Sequence, residues 1–194
     1  TELSDFKKNC LVKADSSSPE EFDFTFEGLY PTPEELGNND SPARKKDDES
    51  ENDFKFRLNR YEEEYGYTSW YEWRIHNWGT KWDACETVII TNEEDELYVG
   101  FDTAWTPPVN WLKKVSTKYP NLNFLMDYIE EGVNFCGVVR IGDGEIVEDE
   151  GVPVFTDHEG EEVYADEEGA WWYSKSKERV NDEEFWPTAH NPFI

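Results

Sequence analysis

The chain has 194 residues, a length that suits one domain with an appendage, and 16% of its residues are aromatic. It carries 18 basic and 45 acidic residues, so its net charge of −27 disfavours binding to nucleic acid or anionic membranes and favours basic protein partners. The three cysteines form no CxxC pair, and the sequence shows no signal-peptide pattern and no membrane-length apolar run, which predicts a cytoplasmic protein with reduced thiols.

Hydrophobic spacing predicts helices and strands along the first third of the chain. Residues 2–12 have the spacing of a helix, and phenylalanines alternate with polar residues over 22–26 as in a half-buried strand. Residues 37–53 lack large apolar side chains and predict a mobile acidic loop. Residues 54–65 predict a second helix.

The next segment, residues 69–83, holds four of the nine tryptophans: Trp70, Trp73, Trp78 and Trp82. Ser69 followed by Glu72 is a capping-box pair that begins a helix, and Gly79 supplies the left-handed residue that ends one. A short helix over residues 69–78 would be aromatic on both faces, so we expect other layers to cover both. Core packing is therefore the expected role of all four tryptophans.

Strand and turn signals dominate the middle of the chain. Residues 86–92 and 97–103 predict a hairpin joined by the acidic turn 93–96. Pro107 is expected just inside a helix that runs to about residue 118, and residues 122–130 predict a strand. A second hairpin is predicted over residues 135–141 and 145–148, with a Gly-Asp-Gly turn between them.

Residues 141–174, called here the acidic stretch, contain no lysine or arginine. Twelve carboxylates in this segment are the predicted partner-binding residues: Asp143, Glu145, Glu148, Asp149, Glu150, Asp157, Glu159, Glu161, Glu162, Asp166, Glu167 and Glu168. Duplex DNA carries one charge per about 1.7 Å of its axis. Carboxylates at a comparable density on one face would therefore present a partner with a DNA-like surface.

Residues 70–84, with the sequence WYEWRIHNWGTKWDA, resemble the signature of the YubB-like family. Similar segments follow the family in the same order: LYPTPEEL at 29–36, FDTAWTPP at 101–108, and the helix end at 119–120 with the strand after it. The resemblance implies a ferredoxin-like α+β domain, an antiparallel sheet with helices on one face, and a plasmid or phage origin. It implies no activity that transfers to particular residues.

Family members tend to begin with a short strand that carries an Asn-Trp-Cys-like segment. This chain begins at Thr1, in the helix that would follow that strand, so we expect the strand to be missing or the sheet to be one strand short. We predict a ferredoxin-like domain over residues 1–149. Residues 150–194 are expected to form an acidic, tryptophan-containing extension that docks on it.

Several residues are of types that act in catalysis, but none lies in a pattern that favours it. His76 has no evident partner for general-base chemistry, so a structural role is expected. Asp83, Asp102 and Asp127 follow or lie in strand-like runs, where chance carboxylate pairs are expected in so acidic a chain. No serine or cysteine lies in a nucleophile context. We therefore predict no enzyme activity and no catalytic residues.

The sequence also lacks the patterns of metal and nucleotide sites. Residues 157–162 do not meet the alternate-acid spacing of a calcium loop, and no glycine-rich phosphate loop is present. Tryptophans can stack on bases, but such platforms accompany a basic groove, which this composition does not provide. We predict no metal, no cofactor, no direct binding of nucleic acid and no membrane association.

The sequence favours an acidic protein of a phage or plasmid that acts in the host cytoplasm. It would bind a host protein with a basic nucleic-acid-binding surface, such as a nuclease of a defence system, and inhibit it by mimicking nucleic acid. Two alternatives stay open. One is a small ligand-binding domain that uses the sheet and the tryptophan cluster as a pocket wall. The other is an adaptor of a mobile-element complex whose charge serves solubility.

Overall fold

The computed structural model describes the backbone of residues 1–14, 22–130, 135–150, 155–156, 162–165, 171–173 and 188–189, and the side chains of 1–14, 22–130 and 137–147. In these ranges the helices are α1 (Glu2–Cys10), α2 (Glu34–Gly37), α3 (Glu51–Tyr65), α4 (Trp70–Asn77) and α5 (Val109–Ser116). The strands are β1 (Leu11–Lys13), β2 (Phe22–Phe24), β3 (Cys85–Asn92), β4 (Leu97–Asp102), β5 (Phe124–Glu130), β6 (Phe135–Gly142), β7 (Glu145–Glu150), β8 (Phe155–Thr156), β9 (Glu162–Ala165), β10 (Trp171–Tyr173) and β11 (Thr188–Ala189).

The chain divides into two compact units. The first consists of Thr1–Phe124 and Ile141–Glu145, and the second of Leu125–Arg140 and Ile146–Ile194. The described strands pair as β1-β2, as β3-β4, in the order β5-β6-β7, and in the order β10-β9-β8-β11. The expected domain boundary at residues 149 and 150 stays a prediction. None of the helices in the described ranges combines the length and the apolar character that a membrane crossing requires.

Helix α1 begins as its sequence indicates but ends earlier. The Thr1 hydroxyl accepts a hydrogen bond from the Ser4 amide at 3.2 Å, which caps the helix. The predicted end at residue 12 is wrong, because the helix stops at Cys10. Strand β1 follows at once and pairs antiparallel with β2, with Leu11 opposite Phe24. This pairing satisfies backbone groups that a longer helix would have bonded internally.

Aromatic rings fill the core of the first unit. The rings of Phe24 and Phe101 stack with their centroids 5.1 Å apart, and the ring of Phe26 lies 4.8 Å from that of Trp111. The Trp111 indole N–H donates to the Phe26 carbonyl oxygen at 3.1 Å, so its polar atom is satisfied inside the core. The high aromatic content of the sequence therefore compensates for its few aliphatic residues.

The predicted loop over residues 37–53 is shorter than expected and is bonded to α3. Ser50 caps that helix by accepting from the Asp53 amide at 3.2 Å, so the helix begins three residues before the predicted position. The Arg57 guanidinium contacts the Glu49 carboxylate at 2.7 Å and the Arg44 carbonyl oxygen at 2.9 Å. The hydrogen bonding of Arg57 to the Glu49 carboxylate lowers the pKa of Glu49 to about 2.

Both predicted hairpins are present. Strands β3 and β4 pair antiparallel, and Ile89 lies opposite Val99. Asp143 and Gly144 have φ angles of +47° and +79° in the turn between β6 and β7, as a two-residue type I′ turn requires. The Gly144 amide also donates to the Ser116 hydroxyl at 2.8 Å, which ties this turn to the end of α5.

Helix α5 begins two residues later than the sequence indicates. Pro107 precedes the helix, and its carbonyl oxygen accepts from the Val109 amide at 2.9 Å in a tight turn. The first helical hydrogen bond then runs from the Leu112 amide to the Pro108 carbonyl oxygen at 3.0 Å. The prediction that Pro107 lies inside the helix is therefore wrong.

Candidate binding surface

Helix α4 forms as the capping signals predict. The Ser69 hydroxyl accepts from the Glu72 amide at 3.3 Å and lies 3.1 Å from the Glu72 carboxylate. After the helix, Gly79 adopts a φ angle of +92° and reverses the chain direction. A Cβ atom at Gly79 would approach the Pro107 carbonyl oxygen to 3.0 Å, so the turn also permits a close contact with the segment that precedes α5.

The turn after α4 joins the segments that carry the family resemblance. The Trp78 indole N–H donates to the Tyr30 carbonyl oxygen at 2.9 Å. The Thr80 hydroxyl donates to the Ala104 carbonyl oxygen at 3.0 Å, and the Ala104 amide approaches the same hydroxyl at 3.1 Å. The Thr106 hydroxyl bonds to the Gly79 carbonyl oxygen. The turn after α4 therefore contacts the other two segments that resemble the family, so that residues 29–36, 70–84 and 101–108 lie together.

Arg74 connects α4 to the segment that follows β2. Its guanidinium forms an ion pair with Glu27 at 2.7 Å and donates to the Thr32 hydroxyl at 2.9 Å. Its central carbon lies 4.5 Å from the Trp78 ring centroid, within the range of a cation–π contact. These partners give Arg74 a structural role.

Two of the candidate catalytic residues, His76 and Asp83, have structural contacts. The exposed His76 side chain lies with Nδ1 2.8 Å from the Glu72 carbonyl oxygen and stacks on Tyr67 with ring centroids 4.9 Å apart. The Asp83 carboxylate accepts from the Thr25 hydroxyl and the Phe26 amide, both at 2.6 Å. The absence of enzyme activity stays a prediction.

The thiols whose side chains are described do not resemble activated nucleophiles. Cys10 is buried, and burial raises the pKa of its thiol to about 12. Burial also raises the pKa of Cys85, and the neighbouring carboxylates of Asp102 and Glu86 act in the same direction. Both thiols therefore favour the protonated form at neutral pH. Among the described residues, no group of three or more His, Cys, Asp or Glu side chains is arranged to hold a metal ion.

The four tryptophans of the central segment differ in burial, which contradicts the expectation that all four pack in the core. Trp73 and Trp78 are buried and Trp70 is half-buried, whereas 52% of Trp82 is exposed. Helix α4 is also not covered on both faces, because 43% of Tyr71 is exposed. The buried faces already have partners in the core, so the remaining aromatic side chains extend into solvent.

A second exposed tryptophan lies close to Trp82. Trp105 is 66% exposed, and Lys81 Nζ lies 4.4 Å from the Trp82 ring centroid and 5.8 Å from that of Trp105. Trp105 has a φ angle of +71°, a left-handed conformation that is unfavourable for a bulky side chain. We call Lys81, Trp82 and Trp105 the tryptophan surface. No pattern in the sequence predicts it.

The strained backbone of Trp105 leads to a stability prediction. Replacing Trp105 with glycine or with alanine removes the same exposed ring, but only glycine relaxes the left-handed conformation. We expect Trp105→Gly to be more stable than Trp105→Ala by about 1 kcal/mol. Urea unfolding of the two variants, followed by circular dichroism, measures this difference. Equal stabilities would show that the strain relieved at this position does not exceed the entropic cost of the added glycine.

The predicted acidic partner-binding residues are only partly described. Asp143 and Glu145 are exposed beside the turn between β6 and β7. Glu148, Asp149 and Glu150 lie in β7 and Glu162 lies in β9, where the structure describes the backbone alone. Six predicted residues lie outside the described residues: Asp157, Glu159, Glu161, Asp166, Glu167 and Glu168. Their role as a binding surface stays a prediction.

Comparison with known proteins agrees with this architecture. A family model described as the ferredoxin-like domain in Api92-like protein matches residues 77–174. Antiparallel strand pairs together with helices define the α+β class predicted from the sequence, and the ferredoxin-like domain is confirmed. The chain belongs to this family of Api92-like ferredoxin-like domains.

The chain is also similar to the uncharacterized protein YubB of Escherichia coli strain K12. The two sequences are 32% identical over 84 residues, which make up 43% of this chain and 58% of YubB. The chain therefore matches less than two thirds of that relative's length. The resemblance to a YubB-like family with a ferredoxin-like domain is confirmed. No solved structure matches the chain.

Proposed function

We propose that the chain is a non-enzymatic, acidic binding protein of a phage or plasmid that acts in the host cytoplasm. It binds the basic surface with which a host protein contacts nucleic acid, and it blocks nucleic acid there. The observation that carries this proposal is the acidic stretch, with twelve carboxylates and no lysine or arginine in residues 141–174. A net charge of −27 steers association with a basic partner and disfavours nucleic acid itself.

The density of charge on this stretch depends on how its strands pair. Alternate residues along one strand are about 6.6 Å apart on the same face, so a single strand is too sparse to imitate the phosphates of a duplex. Strand β9 pairs with both β8 and β10, and Glu162 lies opposite Thr156. Of these three strands only β9 carries a carboxylate, Glu162, so a DNA-like density of charge also requires the carboxylates that lie outside these strands.

A pull-down from host lysate at low and at high salt tests the proposal. We expect recovery of a nucleic-acid-binding enzyme at low salt and its loss at high salt, because surface charge pairs are screened. Its affinity should fall about tenfold or more when Glu161, Glu162, Glu167 and Glu168 are changed to glutamine.

A matched variant separates local from general charge effects. This variant also loses four negative charges, but from exposed positions on α3 and in the turn between β3 and β4. The glutamates changed to glutamine are Glu62, Glu63, Glu64 and Glu94. This variant should bind more tightly than the variant in the acidic stretch. Equal affinities of both variants, or no change in the salt dependence, would argue against the stretch as the contact surface.

The adaptor alternative is favoured by an apolar surface on the β3-β4 hairpin. Val88, Ile90 and Tyr98 are exposed by 59%, 54% and 43%. A partner that binds through such side chains would tolerate high salt, because apolar burial is not screened. A salt-resistant partner in the same pull-down, lost on Ile90→Asp, would support this alternative.

A further inference from the structure

We propose that the tryptophan surface binds a cationic side chain, an arginine above all, presented by a partner protein. Trp82 and Trp105 would form the anchor of this contact, and Lys81 marks the position of the bound cation. The proposal does not rest on the acidic stretch or on mimicry of nucleic acid. It shares with the proposed function only the expectation of a basic partner.

Both indole rings are exposed, although other aromatic rings of the chain are buried in its core. Trp82 and Trp105 are 52% and 66% exposed. Trp and Arg are the side chains that most often dominate the energy of a protein interface. Two exposed tryptophans at one place on the surface therefore indicate a contact site.

The position of Lys81 indicates that the two rings attract a cation. Its ammonium nitrogen lies within 6 Å of both ring centroids, at 4.4 Å from Trp82 and 5.8 Å from Trp105. That is the distance range in which the negative face of an indole attracts a cation. In the free protein, Lys81 occupies the position that a partner's cation would take. A guanidinium is flatter and more weakly hydrated than an ammonium, so arginine would stack on these rings more favourably.

The segment that carries Trp105 is held in place on both sides. Ala104 bonds to the Thr80 hydroxyl through both its amide and its carbonyl group, at 3.1 and 3.0 Å. The Thr103 hydroxyl donates to the Thr106 carbonyl oxygen at 3.0 Å, which closes the loop around Trp105. These bonds hold a residue with a φ angle of +71°, and retained strain of this kind is typical of ligand contacts. The backbone that carries the Trp105 ring is thus held in a fixed position.

Charge distinguishes a cationic ligand from a nucleic acid. Stacked bases with a phosphate beside Lys81 would use the same three side chains. The net charge of −27 opposes the approach of a polyanion and favours a cation, so we assign the surface to a basic protein segment. The two ligand classes predict opposite effects of removing Lys81, which makes the assignment testable.

The first test measures binding of a hexa-arginine peptide to the full chain by isothermal titration calorimetry. We expect the double variant Trp82→Ala/Trp105→Ala to bind about 5- to 20-fold more weakly, since each exposed cation–π contact contributes a few-fold. The control is Phe56→Ala, which removes a ring that is 72% exposed on α3 and leaves the charge unchanged. Phe56→Ala should bind hexa-arginine with the same affinity as the unsubstituted protein. Equal affinities of the double variant and the control would overturn the proposal.

The second test uses Lys81→Gln, a variant that keeps both Trp82 and Trp105. If Lys81 occupies the cation position, its loss should tighten binding of hexa-arginine about 2- to 5-fold. Lys55→Gln, at an exposed position on α3, makes the same change in net charge and measures the general electrostatic effect. Equal affinities of Lys81→Gln and Lys55→Gln would overturn the assignment. The assignment would also be overturned if the protein bound a single-stranded oligonucleotide and Lys81→Gln weakened that binding.

Discussion

Replacing Trp78 with alanine is expected to lower the free energy of unfolding by about 3–5 kcal/mol. The side chain is fully buried, and its ring contacts Phe26 and Trp73 edge to face with centroids 5.5 and 6.1 Å apart. Its removal would leave a cavity where α4 meets the aromatic core. It would also leave the Tyr30 carbonyl oxygen without its indole donor and the Arg74 guanidinium with Trp70 as its one remaining cation–π partner among the described residues.

The variant Trp78→Phe separates the polar from the apolar part of this effect. Phenylalanine retains most of the ring contacts and loses the hydrogen bond to the Tyr30 carbonyl oxygen, which should cost about 1–2 kcal/mol. Urea unfolding at constant temperature gives both values, provided that the slope with denaturant stays the same. A loss below 1 kcal/mol for Trp78→Ala would mean that α4 is not fastened to the core through this residue.

The parts of the fold that the sequence predicted correctly depend on local chemistry. Ser69, Glu72 and Gly79 determine the ends of α4 through hydrogen bonds and backbone angles within a few residues. The turn at Asp143 and Gly144 likewise needs only two residues with positive φ. Such signals do not depend on the rest of the molecule, so they can be identified before the fold is known.

The features that the sequence did not predict are set by distant partners. Residues 11 and 12 fit a helical pattern, but pairing of β1 with β2 draws them into a strand. Trp78 and Trp82 are equally aromatic in the sequence, and only the packed structure shows that one is buried and the other exposed. Hydrophobic spacing weighs all aromatic residues alike, and therefore it overpredicted burial in this segment.

The tryptophan surface was missed for a geometric reason. Near the turn, Asn92 pairs with Leu97, and this register extended along the hairpin would bring Trp82 opposite Pro107. Two register shifts within the β3-β4 pairing change this, so Cys85 lies opposite Asp102. Trp82 lies three residues before Cys85, and Trp105 lies three residues after Asp102. The two register shifts determine which residues pair at the open end of the hairpin, beside the two tryptophans, and no turn signal in the sequence encodes these shifts.

A single added methyl group at Gly28 is expected to destabilise the first unit by about 3 kcal/mol. A Cβ atom there would overlap the backbone carbonyl oxygen of Asn9, near the end of α1. A backbone oxygen cannot rotate away as a side chain can, so either α1 or the turn after β2 must shift. That turn is closed by the Tyr30 amide, which donates to the Phe26 carbonyl oxygen at 3.0 Å, and it also positions the acceptor for Trp78.

Gly37→Ala provides the matched control for Gly28→Ala. Gly37 ends the short helix α2, and an added Cβ would lie 4.0 Å from the Thr32 methyl group, an ordinary contact. This substitution should leave stability unchanged or raise it by about 0.5–1 kcal/mol, because alanine restricts the unfolded chain. Thermal or urea unfolding of both variants gives the comparison. If both alanines proved equally neutral, the close approach of Gly28 to α1 would not be a constraint on the fold.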